Sequence, residues 1–471
     1  MEAIILNIVT SINSYLWNYI LVFILIGLGL FFTIKTKFVQ IRCFGEGCRN
    51  VFGKMLDKSK NKNGISSFQA FATAVAAQVG TGNIVGASGA ILVGGPGAIF
   101  WMWVIAFFGM ATIYAEAILA QKTRVVNEDG TVSGGPVYYI KKAFNNKFGK
   151  FLAGFFAVAA ILALGFMGAM VQSNSIGEAC ANAFGIPAWS VGLVLVAVSA
   201  LIFVFGVKGI AKFSEKIVPI MAVLYLVGGL IIIGFRIQYI PETFGMIFKY
   251  AFEPEAILGG GIGAAILQGA KRGLFSNEAG MGSTPHAHAL AEVKDPHTQG
   301  TTAMISVFLD TFVVVTMTAI IVISTLYVGK GVDPALSGAI VKTNAVQEAF
   351  KTIFTGDIGA KISGIFVAIC LTFFAFSTII SWNLFGKINM EYLFGKKSSI
   401  IYSIIAIGFI FLGSCLSNDL VWELTDTFNG LMVLPNAIAL IALSGLVVCV
   451  KRSKGKRSVD SLQNEGNDTD K

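Results

Sequence analysis

Apolar runs of about bilayer length recur along the chain, separated by charged or turn-rich breaks. A hydrocarbon core needs about 20 apolar residues per helix, and segments of that order fall roughly at 15–34, 67–94, 97–121, 151–176, 188–206, 213–235, 259–290, 300–327, 358–385, 399–417 and 428–450. The pattern predicts an all-α integral membrane protein with about eleven transmembrane helices. Two segments do not read as ordinary spans. The second, FQAFATAVAAQVGTGNIVGASGAILVGGPG, puts Gln78, Gly80, Thr81, Gly82 and Asn83 where a lipid-facing helix would carry leucine. The seventh, GGGIGAAILQGAKRGLFSNEAGMGSTPHAHALA, holds Lys271, Arg272, Ser276, Asn277, Glu278, Gly280 and Gly282 inside a hydrophobic stretch. Unwound backbone survives in a bilayer only where protein buries it or where it lines a water-filled cavity, so both are expected as broken helices at the core. A small-residue packing seam accounts for Gly86, Gly89 and Gly94 but leaves Gln78 and Asn83 unexplained.

The placement of the two interruptions adds a topology. With the first helix (15–34) set aside as peripheral, they open each half of the remaining set, 67–235 and 259–450. Halves with an odd number of spans enter the membrane from opposite faces, which predicts a 5+5 inverted repeat with the site between the interrupted helices. Residues 1–450 then form one transmembrane domain, and 451–471 a disordered cytoplasmic tail. Lysine and arginine collect in alternate loops, from Lys35, Lys37, Arg42 and Arg49 in the first to Lys387, Lys396 and Lys397 near the end. The loops between carry Glu178, then Glu242, Glu253 and Glu255, then Asp419, Glu423 and Asp426. By the positive-inside rule the N-terminus is outside and the C-terminus cytoplasmic.

Composition narrows the function. The chain is 55% hydrophobic and 13% charged, where a soluble domain carries about 25% charged residues. Its net charge of +9 lies between apolar runs and not on one basic face, which argues against a nucleic-acid partner. No nucleophile elbow, HExxH or phosphate loop is present, so a transporter is expected and not an enzyme. No obligate protein partner is evident. Cys43, Cys48, Cys180, Cys370, Cys415 and Cys449 form no CxxC pair and have no histidine close by in sequence, so neither a disulfide framework nor a zinc site is expected. His286 and His288, two apart, read as packing or capping residues.

A broken helix exposes N–H groups at one half and C=O groups at the other. A zwitterion such as a free amino acid can set its carboxylate against the amides of Thr81, Gly82 and Asn83, with Gln78, Ser276 and Asn277 as neutral partners for its ammonium. A sodium ion can use carbonyls near Ala76 and Val79 together with the hydroxyls of Ser377 and Thr378, although those hydroxyls can equally bond back onto their own helix. Asp310, Glu116 and Glu278 are intramembrane carboxylates, functional candidates by default. Glu278 is open to an ion pair with Arg272 or to a proton relay, and Glu116 to an interfacial lysine.

The strings QVGTGNIVG (78–86), GGPGAIFWMW (94–103), SGGPVYYI (133–140) and RGLFSNEAGMGSTPHAHA (272–289), with their spacing over about residues 15 to 450, resemble the alanine/glycine:cation symporters. That family consists of sodium-coupled amino acid importers of LeuT-type fold in the cell membrane. The resemblance implies uptake of alanine and glycine with sodium as coupling ion and no other cofactor; some relatives use protons or extend to D-alanine. It implies a pocket formed by Gln78, Thr81, Gly82, Asn83, Gln172, Phe275, Ser276 and Asn277, walled by Phe166 and Trp382. Sodium is then implied at Ala76, Val79, Ser377 and Thr378.

Overall fold

Long runs of leucine, isoleucine, phenylalanine and alanine with only 10 prolines in 471 residues satisfy their backbone internally, as lipid demands, and so form helices. The computed structural model describes residues 2–53, 64–128, 130–203, 206–253, 263–328 and 338–447. Outside them lie Lys54, Lys58, Lys60, Lys62, Glu255 and Cys449, the expected helix ends at 259–262 and 448–450, and the tail.

The helices in chain order are α1 (Glu2–Lys35), α2 (Phe44–Phe52), α3 (Ser67–Gln78), α4 (Gly82–Gly94), α5 (Ala98–Thr123), α6 (Pro136–Ala143), α7 (Lys147–Phe184), α8 (Ala188–Phe203), α9 (Gly206–Phe235), α10 (Ile240–Ala251), α11 (Ala264–Asn277), α12 (Pro285–Leu290), α13 (Pro296–Tyr327), α14 (Ala345–Lys351), α15 (Gly356–Phe394), α16 (Ser398–Gly413) and α17 (Asn418–Ala442). A two-stranded hairpin, Val125–Val126 with Val132–Ser133, joins α5 to α6. Among the described residues, α1, α5, α7, α9, α13, α15 and α17 are each long and apolar enough to cross a bilayer, and α3 with α4, bent by 46°, makes a further span. Helices α8 and α16 are apolar but shorter.

Both expected interruptions are present, one at 79–81 and one at 278–284. The second lies further along than the charges suggested, because Lys271 to Asn277 are still helical. The broken helices run antiparallel, α3 beside α12 and α4 beside α11, with α5, α13 and α15 around them. Short amphipathic pieces such as α2 and α10 were not expected, since they fall well under the length that marks a span.

Two boundaries differ from expectation for a shared reason. Helix α1 starts at Glu2 and α17 starts at Asn418, so Glu423 and Asp426 lie on a helix and not in a loop. Their polar groups are met by other helices. Asn13 of α1 donates to the Glu423 carbonyl at 2.8 Å and to its carboxylate at 2.5 Å, and accepts from Thr427 at 2.9 Å. Lys35 reaches Ser444 at 3.0 Å. Helix α1 is therefore an outer helix fastened to α17 through Asn13 and, at its other end, to the turn that follows α17 through Lys35. Replacing Asn13 with alanine strands these groups at a buried seam and is expected to destabilise the protein by about 1–3 kcal/mol. A lowered thermal midpoint in detergent checks this, and an unchanged one would show that the seam holds by apolar packing alone.

Candidate functional site

The first break follows from its sequence. Helix α3 begins on a capping box formed by Ser66 and Gln69 and ends at Gln78, after which Val79 leaves helical geometry (φ −81°, ψ 87°). The chain resumes through a widened π-helical turn, Gly82–Gly86. The second break is sharper. Glu278 takes a left-handed conformation (φ 58°), and Gly280 and Gly282 (φ 89° and 84°) supply the further left-handed residues that side chains resist. Pro285 then opens α12 at its first turn, where a missing N–H costs nothing.

Buried acids and amides satisfy this second break. Glu116 accepts from the Gly280 N–H at 3.1 Å and from the Asn436 amide at 2.6 Å, and the same amide donates to the Gly280 carbonyl at 2.9 Å. Glu278 accepts from the Trp382 indole at 2.6 Å and from the Ser283 hydroxyl. Neither of the ion pairs left open for Glu278 and Glu116 forms among the described residues. Glu116 meets no lysine, and Arg272 pairs with Asp426 at 3.0 Å. Six helical positions turn the chain by about 240°, so Arg272 and Glu278 leave α11 in different directions. His286 is packed, as expected, between Phe156 and Phe385 with Asn389 on its Nε2.

At the first break Asn83 is fully engaged: its amide oxygen accepts from the Gly80 N–H at 2.9 Å, and its nitrogen donates to Asp310 at 2.6 Å. Asp310 sits in a π-helical turn of α13, Phe308–Val315. It also accepts from Ser276 at 2.9 and 3.0 Å and from Thr311 at 2.8 Å, so one buried carboxylate joins both broken helices. The sequence signal for it was its position inside an apolar span. Gln78 donates to the Asn277 carbonyl at 2.7 Å, and the Thr81 N–H donates to Gln172 at 3.1 Å. The other ends of the two glutamines, Gln78 Oε1 and Gln172 Nε2, and the Thr81 hydroxyl are buried with no partner among the described residues. Such atoms are uncommon and costly.

Phe275 lies against Gly82, where a Cβ would approach its ring to 3.0 Å. Trp382 and Trp422 flank Phe275 at 5.8 and 4.7 Å between ring centroids. Trp422 was not expected here; its one signal is its position a helical turn before Asp426. Phe166 does not join this wall. It stacks on Tyr402 and Phe409 of α16, because a π-helical turn, Ile161–Met167, shifts the facing of α7. Ser377 and Thr378 bond back to the Phe374 carbonyl at 2.8 and 3.2 Å and also reach the Ala76 carbonyl at 3.4 and 3.0 Å. The back-bonding to their own helix is thus present, and each hydroxyl also touches the end of α3. They gather hard oxygens beside Val79, the first residue of the break.

The region is closed at both ends. On one side Lys271 and Arg272 converge on Asp426 at 2.9 and 3.0 Å, with the guanidinium 4.6 Å over Trp422. On the other, Ile65 forms a backbone bridge with Ala291: its N–H donates to the Leu290 carbonyl at 3.1 Å, and its carbonyl accepts from Glu292 N–H at 2.9 Å. Gln121 and Arg124 cap the neighbouring carbonyls at the end of α12, Gln121 that of Ala291 and Arg124 that of Ala289.

The sequence profile of the sodium:alanine symporter family matches residues 1–464. The chain belongs to the sodium:alanine symporter family. It is thus a multi-pass membrane transporter and not an enzyme. It is 42% identical over 443 residues to the sodium/alanine symporter AgcS of Methanococcus maripaludis, covering 94% of this chain and 95% of that protein. It is 40% identical over 448 residues to the probable sodium/glutamine symporter GlnT of Bacillus subtilis, covering 95% and 90%. The crystal structure of MhsT in complex with L-phenylalanine superposes with a TM-score of 0.58 at 15% identity, covering 82% of this chain and 99% of that one. At that identity the likeness establishes the fold, which is LeuT-type. Within this symporter family member, removing the bridging carboxylate should uncouple the broken helices. Asp310→Ala is expected to lower the initial rate of amino acid uptake at least about tenfold, given ~1.5–3 kcal/mol for a hydrogen bond to a charged group. Glu348→Gln, at a partly exposed pair with Lys351 on α14, should stay within about twofold. Rates in proteoliposomes, normalised to folded protein, decide it.

Proposed function

We propose that this transporter imports small neutral amino acids, alanine and glycine foremost, by symport with sodium. The observation that carries this reading is the trio of unpaired buried atoms at the first break. Gln78 Oε1 is an acceptor suited to an ammonium, Gln172 Nε2 a donor suited to a carboxylate, and Thr81 Oγ1 serves either. A free amino acid offers both charges on one small frame. Phe275 and Gly82 leave little depth beside them, which favours a short side chain. Sodium is assigned to the oxygens of Ala76, Val79, Ser377 and Thr378, by the gathering of hydroxyls on one carbonyl. We also place the N-terminus outside and the C-terminus in the cytoplasm, with repeats at 67–235 and 259–450.

In this mechanism sodium orders the unwound end of α3, which raises amino acid affinity, and by linkage the amino acid raises sodium affinity equally. At 100 mV each inward charge contributes about 2.3 kcal/mol, or roughly fifty-fold accumulation before any sodium gradient. A proton-coupled symporter is the second reading. It is favoured by three fully buried carboxylates, Glu116, Glu278 and Asp310, none in an ion pair among the described residues.

Uptake of labelled alanine into proteoliposomes is compared under inward sodium, potassium and proton gradients. Accumulation with sodium only is expected, and Thr81→Val should abolish it while folded protein remains. Accumulation with protons only would move the coupling to Asp310 or Glu278. Alanine binding without accumulation under any gradient would make the protein a sensor.

A further inference from the structure

Outside both breaks, the fold brings Cys43, Glu46 and His297 together, with their ligand atoms within 4.8 Å of one another. Among the described residues this is the one such group of histidine, cysteine and acid. Cys43 is the residue on which α2 begins, Glu46 lies in the first turn of α2, and His297 is the second residue of α13. The two helices are held closely: Asn50 donates to Thr301 at 3.0 Å, and a Cβ at Gly47 would stand 2.8 Å from the Thr301 carbonyl. The ligand cluster therefore rests on a fixed seam.

The imidazole is already oriented. Its Nδ1 is 2.8 Å from the Tyr114 hydroxyl, and its Nε2 faces Glu46 at 3.4 Å. A second hydrogen bond that fixes ring and tautomer is the usual companion of a metal-bound histidine. We propose that Cys43, Glu46 and His297 form a binding site for a thiophilic divalent cation of the Zn2+ class, at the foot of the helix that carries Asp310. Sulfur, imidazole nitrogen and carboxylate oxygen together are the donor set of such an ion. Metal–ligand bonds of about 2.0–2.3 Å put tetrahedral ligand atoms roughly 3.5 Å apart. The Nε2 to Oε1 distance already matches, and the Glu46 side chain, 49% exposed, is free to close on the ion. Binding takes the Cys43 thiolate and releases its proton to solvent. Three protein ligands leave a fourth position for water, so the ion is exchangeable and not a closed structural zinc.

The competing account is a histidine–glutamate pair with a bystander thiol, and cobalt separates the two. Chelator-treated full-length protein in detergent is titrated with Co2+. A near-ultraviolet thiolate-to-cobalt band that saturates at one equivalent and is quenched by Zn2+ is expected. Cys43→Ser, nearly isosteric, should lose the band, and Cys48→Ser should keep it. Tyr114→Phe should keep the band while weakening Co2+ affinity about tenfold or more. Absence of the band in the wild type, or its persistence in folded Cys43→Ser, overturns the site. His297→Gln provides a second check: if it folds, as judged by gel filtration, it must also lose one-equivalent binding.

Discussion

The structure depends on satisfying main-chain polar groups that two helices expose when they break inside a bilayer. Lipid offers no hydrogen bonds there, so a freed N–H or C=O must find protein or a water-filled cavity, and each one left over costs several kcal/mol. The second break finds Glu116, Asn436 and its own Asn277, whose side chain accepts from the Ala279 N–H at 3.1 Å. The first finds Asn83 and Gln172. The helices that surround the broken pair are therefore more than a wall. They supply the hydrogen bonds without which Val79 to Thr81 and Glu278 to Thr284 would rewind or unfold.

That requirement also explains the position of the unpaired atoms. Gln78 and Gln172 each spend one end on the backbone of a break and leave the other facing inward. Asp310 takes donors from α4, from α11 and from its own helix, so the separation of the two broken helices is tied to one side chain. The two closures are built differently. One consists of side-chain charges that can part and be rehydrated, while the other is a main-chain bridge reinforced by Arg124. A charged closure opens by exchanging partners with water and ions, whereas a backbone bridge opens by moving a whole strand end.

The sequence alone revealed the class, the existence of both breaks and most of the residues brought to them, because glycine, amide and hydroxyl groups in the middle of an apolar run have few other uses. It was least informative where a charge is answered from another helix. Asp426 and Glu423 look like loop residues until Lys271, Arg272 and Asn13 are placed beside them. Arg272 looks like a partner for Glu278 because the two are near in sequence, yet helical rotation separates them. Phe166 was implied by the resemblance and not by periodicity; it lies inside a π-helical turn, which composition does not betray, and stacks on α16. Cys43 and His297 lie 254 positions apart, and no spacing rule connects them.

Side-chain selectivity is the property least tied to the fold. Relatives at 42% and 40% identity are named for alanine and for glutamine, and a methylene in an apolar pocket is worth only about 1–3 kcal/mol. On the proposed reading the elements α3–α4 and α11–α12 grip the atoms common to all amino acids. On that reading discrimination falls to the side chains beside the breaks, and Phe275, wedged between Trp382 and Trp422 and lying against Gly82, is the wall that would exert it. Trp382 also holds Glu278, and Trp422 packs under Arg272. A change in the wall is therefore felt at the second break and at the charged closure together, and on the proposed reading this would couple what the site accepts to how it opens.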